Sequence, residues 1–461
     1  MKLEFFKPGV AAVMLLCPAL SAYAEDGKVH EQVFANGMKI LVKEDHRAPV
    51  VVSQVWYKVG SSYEPGGITG ISHMLEHMMF KGTKDYPAGE FSRIIAENGG
   101  QENAFTGNDY TAYFQTMEKS RLEISFKLEA DRMRNLDLKA EELEKELQVV
   151  TEERRMRTDD KPRAKTLEQF NAVAFTNSPY KHPVIGWPSD IANYKIEDLQ
   201  AWYQQWYAPN NATLVVVGDV DADQTIKLAE QYFAGLKPSD IKPLKPQTEI
   251  EQKGVRKLTV KAPAKLPYLM MGYKVPVLKT ANPKWEAYAL EVLAGILDGG
   301  NSARLQSHLI RGKQIAVSAG AQYDLTSRLA DMFMLEATPA EGKSVFDLEY
   351  ALKEEIYQLQ NELISQEELQ RIKAQVLAND IYQKDSNFYQ AMELGLLETV
   401  GIGWQKAGEY VDNINRVTAE QVREVARKYL IEDTLTVAYL EPQAITDKPR
   451  AGKTIGGRHA F

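Results

Sequence analysis

The chain carries one cysteine, Cys17, and no surplus of positive charge: 55 Lys and Arg stand against 63 Asp and Glu, a net charge of −8. Cys17 lies in a stretch that reads as an export signal. Lys2 and Lys7 supply its charge, residues 10–20 form a short apolar run, and Ala22-Tyr23-Ala24 is a small-x-small cleavage site. That run is well short of the roughly 20 residues that span a bilayer, which favours cleavage over anchoring. Met14-Leu15-Leu16 also lacks the small residue that usually precedes a lipid-modified cysteine. A mature chain beginning at Glu25 is therefore thiol-free. It can work in an oxidising compartment without mispairing, and it has no thiolate to act as nucleophile or metal ligand. Any metal must be held by histidines and carboxylates. The acidic balance argues against nucleic acid as the main partner, and no later segment is apolar enough to span a membrane. The expected location is beyond the inner membrane, the periplasm if the source is a Gram-negative bacterium.

With 461 residues and 44% hydrophobic content, the chain is too long for one ordinary domain and apolar enough for two cores. Two internal likenesses indicate a diverged tandem duplication. Trp56-Tyr57-Lys58-Val59 and Gly272-Tyr273-Lys274-Val275 both close apolar strands, 216 residues apart. Trp206-Tyr207 and Lys428-Tyr429 each end a helix that leads into an apolar strand, at an offset of about 222. Residues 235–254 carry repeated Lys-Pro steps and little apolar periodicity, as a linker should. The expected divisions are a signal over 1–24, a first domain over 25–245, a second over 246–450 and a tail over 451–461. Residues 38–43 and 50–59 read as paired strands, and 121–135 and 140–156 as helices. Ser365 with Glu368 forms a capping box for a helix through Ala378. The pattern is α+β, stated twice.

His73-Met74-Leu75-Glu76-His77 sits between the breakers Gly66-Gly67 and Lys81-Gly82, so a short helix is expected. Residues four apart share a helix face, which lets both imidazoles address one ion with Glu76 beside them. The bland alternative is a polar surface helix. It fits poorly, because Ile71, Met74, Leu75, Met78, Met79 and Phe80 make the segment apolar nearly all round. Two histidines and a carboxylate buried together need a compensating partner, and a divalent cation supplies it. The other histidines, His30, His46, His182, His308 and His459, have no partner at metal spacing and read as structural or surface.

Catalytic zinc takes a third protein ligand and keeps an open position. The 140–156 helix offers many carboxylates, most of which read as a solvated face. Leu143, Leu147 and Val150 define its buried stripe and Val149 widens it. Glu153 lies four beyond Val149 and three beyond Val150, on that stripe, whereas Glu152 points further round. Glu153 is thus the favoured ligand. Glu146, on the same stripe, is placed to orient a histidine or the ligand carboxylate.

Here the sequence resembles the pitrilysin, insulin-degrading and mitochondrial processing peptidases, whose signature is H-x-x-E-H followed some 75 residues later by a ligand glutamate. The interval from His77 to Glu153 matches. So do Asn36-Gly37-Met38, Thr69-Gly70-Ile71-Ser72, Asn103-Ala104-Phe105-Thr106, Tyr207-Ala208-Pro209-Asn210-Asn211 and Gly299-Gly300, across nearly the whole mature chain. The resemblance implies that His73, His77 and Glu153 bind one Zn2+ per chain and that Glu76 is the general base. It implies two homologous α+β domains, each a mainly antiparallel sheet packed against helices. Zinc would acidify water and polarise a peptide carbonyl, while Glu76 takes the proton and later returns it to the leaving amine. The run over 101–117 resembles the family's active-site edge strand, making Asn103, Ala104 and Phe105 substrate-binding; its plainer reading is an internal strand. The expected substrates are peptides or unfolded polypeptide segments.

The second half lacks this chemistry. Where the metal helix should recur, residues 288–297 contain no histidine. The family's substrate-holding Arg and Tyr, seven residues apart, are also missing, with Val317 at the Tyr position and Arg311 one residue out of register. A related partner subunit supplying that clamp is therefore expected, or else a homodimer. The rival functions are a non-catalytic assembly subunit that keeps the peptidase fold, and a zinc-storage protein. Both leave Glu76 without a purpose.

Overall fold

The computed structural model describes residues 27–445; the export segment and the 451–461 tail lie outside them. Among the described residues, eleven strands form two sheets. The first holds β1 (Val29–Val33), β2 (Lys39–Glu44), β3 (Val50–Tyr57), β4 (Gln101–Thr106), β5 (Thr111–Glu118) and β6 (Ala212–Gly218), in the order β1-β2-β6-β3-β5-β4. The second holds β7 (Arg256–Pro263), β8 (Tyr268–Val275), β9 (Ala316–Gln322), β10 (Asp331–Pro339) and β11 (Leu435–Gln443), in the order β7-β11-β8-β10-β9. With β1 set aside, the two orders correspond strand for strand. Each has one parallel pair, β2 with β6 and β7 with β11, in an otherwise antiparallel sheet. The duplicated α+β architecture is thus present in the backbone pairing itself, and both sequence likenesses fall on equivalent strands, β3 with β8 and β6 with β11.

Two sequence expectations change. The strands over 38–43 and 50–59 form as β2 and β3, but they do not pair: β6, from far along the chain, lies between them. Its sequence, Ala-Thr-Leu-Val-Val-Val-Gly, is buried at every position, as a central strand covered on both faces should be. The run over 101–117 is two strands joined by a turn at 107–110, and β4 stands at the sheet edge. The expected helices form over Leu122–Asn135 and Ala140–Arg154. The helix capped by Ser365 and Glu368 runs past Ala378 to Lys384.

One face of each sheet packs on helices of its own half. The other face is covered by a helix from the opposite half. Phe170 and Ala174 of the Pro162–Ala174 helix join Val260, Met270 and Ala438 of the second sheet. Ala391 and Leu394 of the Asn387–Thr399 helix join Val52, Trp56 and Val215 of the first. Gly395 allows a close approach in that second contact, because a methyl group there would run into the Trp56 indole. No helix among the described residues is long and apolar enough to cross a membrane.

Candidate functional site

The helix Ile71–Met78 begins at Gly70, whose φ of 86° suits glycine and where a Cβ would lie only 2.5–2.7 Å from the Ile185 and Gly186 backbone. A buried carboxylate caps it: Glu64 accepts hydrogen bonds from Gly70 N (2.5 Å) and Ser72 N (2.8 Å). Negative charge there complements the helix dipole, while burial pushes the Glu64 carboxyl up to about 7. Every residue of the helix is buried. His73 and His77 project from one face, with ring centroids 4.9 Å apart.

The helix Ala140–Arg154 brings Glu153 to that face. Glu153 Oε2 lies 3.2 Å from His77 Nε2 and 3.7 Å from His73 Nε2. Ligand atoms of His73, His77 and Glu153 all fall within 4.8 Å of one another, and no other such group occurs among the described residues. Two imidazole nitrogens and one carboxylate oxygen, nearly enclosed, are a fitting donor set for zinc. His77 Nδ1 meets Glu146 Oε2 at 3.1 Å, and the other Glu146 oxygen is paired with Lys81. Glu152 turns aside to Arg155, 2.5 Å away. Glu153 Oε1 is held by Arg157 at 2.7 Å.

Burial opposes ionising Glu153, but the His77 hydrogen bond and the charges of both histidines and Arg157 outweigh it and hold the carboxyl down at about 2. Burial likewise opposes charging His77, and its bonds to Glu146 and Glu153 overcome this to raise it to about 9. Glu76 is 4% exposed. Burial lifts its carboxyl to about 7, against the lowering effect of a hydrogen bond from Thr106 Oγ1 to Glu76 Oε2 at 2.5 Å.

A cavity of about 420 Å³ is lined by His73, Glu76 and Glu153 together with Asn103, Ala104 and Phe105 of β4. Ala104 belongs to the core beneath the sheet. The Phe105 ring turns instead to Trp56, with centroids 5.3 Å apart, so this residue can offer the site its backbone but not its ring. A larger cavity, about 850 Å³, lies in the second half, but its lining contains no histidine. Donor chemistry rather than size selects the smaller one. Sequence reasoning assigned no role to Thr106, Arg157 or Glu64. Alternation along β4 puts Thr106 on the Ala104 face, and Arg157 stands four residues beyond Glu153, both usable signals; Glu64 depends on the turn that leads back to Gly70 and Ser72.

The family described as Insulinase (Peptidase family M16) matches residues 39–187, and the Peptidase M16 inactive domain matches residues 193–376. The zinc protease PqqE of Helicobacter pylori is 33% identical over 94% of this chain and 98% of its own length. A solved structure of a protease from Helicobacter pylori superimposes with a TM-score of 0.85 at 32% identity, covering 90% of this chain and all (100%) of the other. The periplasmic protease PqqL from Escherichia coli shares the fold at a TM-score of 0.76 and 17% identity, over 94% of this chain but only 52% of its own.

Proposed function

The chain belongs to the insulinase family of peptidases, M16, and from that premise we propose that it is an active zinc endopeptidase acting on peptides or unfolded segments. The observation that carries this reading is the convergence of His73, His77 and Glu153, with ligand atoms within 4.8 Å, beside a buried Glu76 and an open cavity. A zinc ion held by these three residues would supply Lewis acidity, lowering the pKa of water and polarising a carbonyl. The protein's own groups do the rest. Glu76, buried beside the two histidines and facing the cavity, is placed to accept a proton on an Oε atom and to return it to a leaving amine. Thr106 fixes the direction of that carboxylate. Glu146 fixes the tautomer and ring of His77 through Nδ1. Because β4 pairs only with β5, its free edge can receive an extended peptide as a further strand, which favours loose side-chain preference. Replacing Glu76 by Gln should abolish hydrolysis while zinc stays near one ion per chain; loss of zinc together with activity would show the role to be misassigned.

The same reading makes this chain the zinc-bearing half of a two-chain enzyme. Arg311 is engaged with the Asn301 carbonyl at 2.6 Å, and Val317 stands 60% exposed on edge strand β9, so neither residue forms a clamp. A related partner with its own Arg and Tyr would complete the enclosure; a homodimer would supply the shape but not those groups. The isolated chain should bind zinc and cleave poorly until the partner is added. Full activity alone, unchanged by the partner, would remove this part of the proposal. Export through the N-terminal signal would place the mature enzyme in the periplasm of a Gram-negative source, which fractionation of the native cells would test.

A further inference from the structure

The hairpin that carries the edge strand of the site is held at its turn by the second half of the chain. The turn at 107–110 connects β4 to β5, and the loop at 323–330 connects β9 to β10, its counterpart in the second sheet. The tips of these two equivalent hairpins meet. Arg328 donates to Asp109 from its backbone N (3.1 Å) and from Nε (2.9 Å), and its Nη2 reaches Ser62 Oγ at 2.8 Å. Ser62 Oγ in turn donates to Asp109 Oδ1 at 2.5 Å, and the Tyr180 hydroxyl donates to Asp109 Oδ2. The guanidinium also lies over the Tyr63 ring, 4.5 Å from its centroid. Asp109 is 3% exposed, so this carboxylate is wholly committed to groups from both halves.

Three residues before Asp109 stands Thr106, whose hydroxyl holds Glu76. Between them the turn is pinned by Ser61 N to the Gly107 carbonyl (3.2 Å) and Ser62 N to the Asn108 carbonyl (2.8 Å). An edge strand has a neighbour on one side only, so its place depends on its ends more than that of an inner strand does. We propose that Arg328 is a positioning residue for the first-half site, fixing the β4–β5 turn and through it the strand that receives substrate and the threonine that holds the base. The inference rests on the reading of β4 as the substrate edge. It gives the half without a metal a specific part in the reaction.

The test uses the full chain with Arg328→Met, Arg328→Lys and, as a control for lost stability alone, Arg304→Met, which breaks the Arg304–Glu368 pair inside the second half. Amide hydrogen exchange of residues 101–106 and the split of kcat and KM for a peptide are measured, with zinc content. Arg328→Met should speed exchange in 101–106 at least tenfold and leave that of 71–78 and the zinc content unchanged. It should lower kcat/KM by about tenfold or more, through KM where the strand loses its place and through kcat where Thr106 loses its hold on Glu76, since misplacement of about 1 Å can cost up to a hundredfold. Arg328→Lys keeps a cation without the fork and should recover part of both effects; if the Met variant does not fold, the Lys variant decides. Unchanged exchange in 101–106, or an equal loss of kcat/KM in Arg304→Met, overturns the proposal. Failure of the unaltered protein to cleave any peptide would instead overturn the proposed function, and the exchange result would still judge Arg328.

Discussion

The two halves share a strand order and differ in what their equivalent helices carry. After β3 comes Ile71–Met78 with His73, Glu76 and His77; after β8 comes Trp285–Asp298, where Tyr288, Leu290, Leu293 and Leu297 are buried and no histidine appears. The first half faces a cavity of about 420 Å³ with metal donors, the second a cavity of about 850 Å³ with Glu291, Asp324 and Asp331. One backbone thus supports a metal donor set in one copy and not in the other. The fold fixes where a site can be, and side chains decide whether there is one.

The sharpest test of this asymmetry compares the two glutamates on the equivalent helices. Glu76→Gln should reduce peptide hydrolysis at least about a thousandfold with zinc retained, whereas Glu291→Gln should leave steady-state kinetics within about twofold. A large loss from the second change would mean that the larger cavity takes part in the reaction. Next, zinc titration of Glu153→Gln against Glu152→Gln should show a loss of affinity of roughly a hundredfold or more for the first and almost none for the second. Equal effects would undo the assignment of the third ligand. Thr106→Val, which leaves Glu76 without its hydroxyl donor, should lower kcat about tenfold, with Thr106→Ser restoring most of it.

A smaller effect concerns acid and base stability. Burial lifts the Glu291 carboxyl from 4.5 to about 7. The unfolded chain therefore releases this proton first, and stability falls as pH rises from about 4.5 to about 7, by roughly 3 kcal/mol for this group. Urea unfolding at pH 5 and 7.5 should show that drop shrinking in Glu291→Gln. An undiminished drop would place its origin elsewhere.

Much of this was legible in sequence because it is local. Helical spacing placed His73 and His77 on one face, the stripe of Leu143, Leu147 and Val150 separated Glu153 from Glu152, and Ser365 with Glu368 announced a helix start. β2 and β3 are neighbours in sequence but not in the sheet, because adjacency along the chain is a weak guide when a later strand can insert. Alternation across 101–117 continued through the tight turn at 107–110, so one run concealed two strands. The contact of Arg328 with Asp109 leaves no periodic trace, since it joins residues that the fold alone brings together.

The exchanged helices, Pro162–Ala174 lying on the second sheet and Asn387–Thr399 on the first, give the molecule an interlocked character. Neither half owns a complete apolar interior, so a gene encoding residues 27–245 alone would yield a product with the outer face of its sheet bare and its own helix seeking a surface. Severing the peptide bonds between Phe233 and Arg256, where no helix or strand intervenes, would instead leave two fragments still hooked to each other. Continuity of the chain through the linker is then not what keeps the halves together: the exchanged helices do that, and Glu249, which joins Lys274 to the backbone of Thr176, Asn177 and Ser178, adds a polar clasp.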